Sequence, residues 1–91
     1  MRNLTIEPNR DIYAVGDRLK CSADGNPTPK YRWTEIESDR VIDGPILTID
    51  ETMTLQQNLT FKCTATNVVE REIKEFSSVI SFMVLLGETL N

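Results

Sequence analysis

Apolar and polar residues alternate along this chain in short runs. Arg18 to Ala23 sets Leu19, Cys21 and Ala23 on one side and Arg18, Lys20 and Ser22 on the other. Leu59 to Asn67 repeats the pattern at greater length. Leu59, Phe61, Cys63 and Ala65 point one way, and Thr60, Lys62, Thr64 and Thr66 the other. Successive side chains leave a strand on opposite faces, so a period of two marks a strand with one buried and one wet face. No apolar period of 3.6 is sustained, and the pattern reads as all β.

The remaining runs fit between turn signals. Leu4 to Glu7 is a first strand ended by Pro8-Asn9, and Ile12 to Val15 a short continuation of that edge. Gly16-Asp17 is a turn. Asp24 to Pro29 is the strongest loop signal, because it combines Gly, Asn and two prolines. Lys30 to Ile36 follows, with Tyr31 and Trp33 facing alike. Glu37 to Gly44 is a polar loop holding a short edge strand at Val41-Ile42. Ile46 to Asp50 is another strand, Glu51 to Gln57 a connection, and Val69 to Glu75 a charged hairpin. A last strand from about Phe76 to Leu86 is apolar on both faces. Either a bulge or covering loop buries its second face, or that face meets another domain or a partner. On the second reading the outward residues Arg32, Thr34, Lys62 and Thr64, with Phe82 or Met83, are the candidate contacts. The hairpin charges are read as keeping that turn soluble.

Composition narrows the function. Ninety-one residues make one small domain, residues 1–91, and not two. A net charge of −4 lacks the electrostatic footprint of a nucleic-acid binder. The absence of histidine removes the commonest general base near neutral pH and the commonest metal ligand. The two cysteines form no CxxC pair, so neither a metal nor a cofactor is expected. The apolar stretch Val79 to Leu86 is far short of the roughly 20 residues of a membrane span, so no direct membrane insertion is expected. Met1-Arg2-Asn3 leads straight into a polar segment rather than a leader. If the chain is secreted, it is therefore expected to be one fragment of a longer precursor. No phosphate loop and no serine nucleophile elbow is present. Carboxylates such as Glu35, Glu37, Asp39 and Asp43 fall in loops and on wet faces, and no D-x-D spacing supports a calcium site.

Seven or eight short strands imply two antiparallel sheets packed face to face. Cys21 and Cys63 both lie on apolar faces, 42 positions apart. Inward cysteines on different sheets can bridge the roughly 10 Å between layers. A redox pair or metal ligation is the alternative use, and a buried structural disulfide is favoured. Trp33 also faces inward and can pack on the bridge. Such a bond implies an oxidising compartment.

Cys21-Ser22-Ala23-Asp24-Gly25-Asn26-Pro27-Thr28-Pro29-Lys30-Tyr31-Arg32-Trp33 resembles the C-x-A-x-G-x-P-x-P-x-x-x-W segment of immunoglobulin superfamily domains of the I or C2 type. Leu47-Thr48-Ile49 resembles their L-x-I strand, and Phe61 to Asn67 their Y-x-C-x-A-x-N strand. The similarity spans nearly the whole chain. It implies an immunoglobulin-like Greek-key β-sandwich. Two departures stand out. The family's D-x-G-x-Y-x-C is replaced by Gln57, Leu59 and Phe61, and phenylalanine cannot make the tyrosine-corner hydrogen bond. Val69 stands where a glycine usually follows, so the next hairpin is expected to be longer or differently shaped.

The resemblance implies an extracellular or cell-surface recognition or adhesion module, one domain of a longer ectodomain, and no enzyme. Its partners would be other cell-surface ectodomains or neighbouring immunoglobulin domains, and a homo-oligomer is compatible. A structural spacer in a multidomain chain and a fragment of a soluble immune-type receptor are the alternatives. Asn3-Leu4-Thr5 and Asn58-Leu59-Thr60 match the N-glycosylation acceptor pattern, which makes Asn3 and Asn58 candidate sites.

Overall fold

The computed structural model describes residues 2–55 and 58–85. Eight strands lie among them: β1 (Arg2–Glu7), β2 (Ile12–Ala14), β3 (Arg18–Asp24), β4 (Lys30–Glu35), β5 (Val41–Asp43), β6 (Ile46–Thr48), β7 (Leu59–Val69) and β8 (Glu72–Leu85). A 3-10 turn covers Glu51–Leu55. The strands form a three-stranded sheet in the order β1-β3-β6 and a five-stranded sheet in the order β2-β8-β7-β4-β5. These are the two packed sheets expected from the alternation, in the immunoglobulin-like arrangement that the resemblance implies.

Burial follows the period of two. In β7 Leu59, Phe61, Cys63 and Ala65 are buried, while Thr60, Lys62 and Thr66 are only partly covered. Their inward neighbours are Trp33 on β4, Ile80 and Phe82 on β8, and Leu19 and Cys21 on β3. Phe61 stacks on Phe82 at 5.8 Å and meets the Trp33 ring edge-on at 6.3 Å. The Cys21–Cys63 disulfide joins the two sheets through the middle of this core, with Cα atoms 6.5 Å apart. Beside it, the Pro45 carbonyl accepts both the Cys21 amide (2.9 Å) and the Trp33 indole N–H (3.0 Å). One backbone oxygen thus ties β3 of one sheet to β4 of the other.

Four expectations need correction. Ile12–Ala14 does not continue the first edge; it crosses to the five-stranded sheet and pairs with Met83–Leu85 in parallel. The inward side chain of Tyr13 drives this, lying edge-on to Phe82 at 4.9 Å and 1% exposed. Its hydroxyl donates to the Pro8 carbonyl and accepts from the Arg10 amide (3.0 Å), so the crossing segment is tied from inside. The strand beginning at Ile46 ends at Thr48 rather than Asp50. The Ile49 amide still reaches the Asp17 carbonyl in register, but the Asp17 amide turns back to the Ala14 carbonyl and the ladder closes there.

The charged hairpin is shorter than expected, not longer. The β7–β8 ladder runs up to Val69↔Glu72, leaving only Glu70 and Arg71 in the turn, with φ of 51° and 69°. Positive φ at both central positions is the geometry that matches strand twist in a two-residue turn. Glu35, expected on a wet face, is buried at 7% exposure and accepts a hydrogen bond from the Ser38 hydroxyl (2.9 Å). Position Gln57, part of the motif departure, and Leu86, the expected end of the last strand, lie outside the described residues.

Candidate functional site

The register of the five-stranded sheet assembles a broad outer face. Alternate residues of each strand leave the core, and the cross-strand pairs place them in rows. One row reads Val41, Thr34, Lys62, Val79, and the next Asp43, Arg32, Thr64, Ser77. Thr60 and Ser81 form another, their hydroxyls 3.0 Å apart. At the β2 side Ile12 lies beside Met83. Val79, Met83 and Ile12 are 58%, 47% and 46% exposed. The apolar second face of the last strand is therefore uncovered, and no bulge interrupts its pairing with β7 from Leu59↔Phe82 to Val69↔Glu72.

Four of the candidate contacts, Arg32, Thr34, Lys62 and Met83, meet on this face with accessible side chains. Two do not. Phe82 turns inward, 2% exposed against Tyr13 and Phe61, because even-numbered residues of β8 share the parity of Ile80. Thr64 points outward but is only 7% exposed, since it is boxed between Arg32 and Ser77 in its row. The residues missed by sequence reasoning are Val79 and Ile12. Val79 lay within the two-faced run, whose alternation placed it with Met83. No sequence signal pointed to Ile12, because its strand was assigned to the wrong sheet.

The electrostatics are simple. The ion pairs among the described residues are Arg10–Asp17 and Arg40–Asp50, neither on this face. Among the described residues neither Arg32 nor Lys62 makes an ion pair, although Asp43 stands beside Arg32 in its row. Away from the face, the Thr52 hydroxyl, with a further contribution from the Arg40 guanidinium, holds the Asp50 carboxyl below its ordinary value. Among the described residues no group of three or more metal-ligating side chains converges.

One end of the face runs into a loop that β7 holds in place. An open groove of about 690 Å³ lies there, lined by Pro29, Tyr31, Arg32, Asp43 and Pro45 among others. The Asn67 amide donates to the Pro27 carbonyl at 2.6 Å, pinning the proline loop to β7. Gly25 makes that approach possible. A Cβ at this position would sit 2.8 Å from Asn67 Nδ2 and 3.0 Å from Pro29 Cγ. Gly25→Ala is therefore expected to destabilise the chain by about 1–3 kcal/mol, the usual cost of overpacking. Urea unfolding monitored by Trp33 fluorescence measures it, and an unchanged midpoint would show that the loop yields freely.

Asn3 and Asn58 are both exposed. Asn3 lies within β1 with its side-chain amide donating to Asp24 (2.9 Å), whereas Asn58 sits just before β7. No helix among the described residues is long and apolar enough to cross a membrane.

Residues 3–81 match the family model described as "Immunoglobulin domain". The chain is also 30% identical to human contactin-3 over 93% of its own length, which is 10% of that protein's length. No solved structure matches the chain significantly.

Proposed function

The chain belongs to the immunoglobulin domain family, and on that premise we propose that it works as an extracellular recognition or adhesion module, one domain of a longer ectodomain. The observation that carries this reading is the outer face of the five-stranded sheet. There Val79, Met83 and Ile12 are open to solvent on the same face as Arg32 and Lys62, which make no ion pair among the described residues. Exposed large apolar side chains grouped on one face cost solubility and are retained where a partner covers them. Hydroxyls between them can satisfy a partner's polar groups, and the two cations favour an acidic counterpart. The partner is thus another cell-surface ectodomain that brings carboxylates and an apolar patch.

Three further points support the reading. The buried disulfide favours an oxidising compartment. The matching segment of human contactin-3 is a tenth of that protein, which fits a module used within a longer chain. The exposed Asn58 stands in a glycan-acceptor pattern just before the start of β7.

Surface plasmon resonance of the chain against an array of cell-surface ectodomains tests the proposal. Met83→Glu combined with Lys62→Glu is expected to weaken the strongest binding at least tenfold with the melting temperature kept. Both side chains are partly or well exposed, so the fold has little reason to respond. Binding that is indifferent to the double variant would remove the face from the proposal. An array without any binder would favour the spacer role instead.

A further inference from the structure

The same sheet carries a second surface, the free edge of β8, which shares Val79 with the outer face but otherwise uses different residues. From Glu72 to Phe82, β8 is paired on one side only, with β7. On its other side β2 begins at Met83. Among the described residues, nothing pairs with the backbone of this stretch there. Beside it an open groove of about 360 Å³ separates β8 from β1, lined by Leu4, Ile6, Ser78, Val79 and Ile80 among others. Protein edges are normally blunted by lysine, proline or a bulge. Phe76 to Phe82 has no charge, no proline and no glycine.

We infer that this edge pairs with the same edge of a second copy, antiparallel about a two-fold axis through Phe76. The register follows from three constraints. A slip of one residue would put inward side chains opposite outward ones, so only slips of two are open. Centring on Glu75 sets that carboxylate against itself. Centring on Ser77 sets Glu75 against Val79 and drives Arg71 of the copy to Met83, where β2 already lies. Centring on Phe76 avoids both. Ile73 then meets Val79 twice, Phe76 meets its own copy, and Lys74 and Glu75 meet Ser78 and Ser77.

The turn at Glu70-Arg71 of the copy ends opposite Phe82 and Ser81, one residue short of β2. The three exposed apolar side chains of this stretch, Ile73 (67%), Phe76 (43%) and Val79 (58%), all find partners this way. Pairing one strand edge buries less than the roughly 1,200 Å² of stable interfaces. The dimer is accordingly weak and concentration-dependent.

Sedimentation equilibrium of the chain from roughly 10 μM to 1 mM, the range that weak association requires, tests this. The weight-average mass is expected to climb from the monomer value of 10.4 kDa towards twice that. Phe76→Lys with Val79→Lys apposes like charges across the axis. It is expected to weaken association at least tenfold with the melting temperature nearly unchanged. Amide exchange in the unmodified chain is expected to slow on alternate residues between Glu72 and Ile80 as concentration rises. A chain that stays monomeric throughout overturns the inference. So does a dimer that survives the lysine variant but is lost in Met83→Glu, an outcome that would move self-association to the outer face.

Discussion

Replacing Cys21 and Cys63 together by alanine is expected to lower the unfolding free energy by about 4 kcal/mol. The bond closes a loop of roughly 43 residues. On the chain-entropy account such a closure removes about that much disorder from the unfolded ensemble. Both cysteines are 0% exposed, so their loss also takes packed atoms from the centre of the core. A domain of this size has about 5–10 kcal/mol of net stability, of which this is a large share. Urea unfolding of the two proteins gives the difference directly. The slope against denaturant is expected to rise in the variant, because an uncrosslinked unfolded chain exposes more surface. The intact chain unfolded under strong reductant should approach the variant. A loss below about 1 kcal/mol would mean that the sheets hold without their staple, and the inference to an oxidising compartment would lose its footing.

The alternation of β3 and β7 made the two layers legible, because a period of two with cysteines on the apolar side leaves little freedom of arrangement. Trp33 was legible for the same reason. What escaped were features set by contacts between distant segments. Ile12–Ala14 is too short to show a period, and its sheet was chosen by Tyr13 packing on Phe82, 69 positions away in the chain. The Glu70-Arg71 turn carries none of the Asn-Gly or Asp-Gly chemistry that announces a two-residue hairpin. It was read as a longer loop although its backbone has that conformation. Phe61 correctly signalled a missing tyrosine corner. It could not signal that its ring would instead stack on Phe82.

The candidate face was half visible. A strand apolar on both sides announced an uncovered surface, but the parity of Phe82 and Met83 needed the register with β7 to resolve. Thr64 shows a further limit. Its side chain points outward, as the alternation requires, yet neighbouring side chains cover it, and coverage by neighbours on the same face is not written in a one-strand pattern.

Trp33→Ala is expected to cost about 3–5 kcal/mol, the range for removing a large buried aromatic. The indole is 0% exposed, meets Phe61 edge-on and fills the layer next to the disulfide. Trp33→Phe separates packing from hydrogen bonding. It keeps a ring in the core and removes the indole N–H that reaches the Pro45 carbonyl. That oxygen retains the Cys21 amide as a donor, so no buried acceptor is orphaned. The phenylalanine variant is therefore expected to cost only about 1–2 kcal/mol, a net hydrogen bond and a few lost contacts. Thermal unfolding by circular dichroism ranks the two. Equal losses would place the indole's role in the cross-sheet hydrogen bond rather than in volume. Arg32 and Thr34 flank Trp33 on β4 and face outward, so the same strand that fills the core holds two of the candidate contacts in place. Partner binding by the folded fraction of the phenylalanine variant should then match that of the parent chain. A clear drop would mean that the indole sets the height of β4, and with it the shape of the outer face.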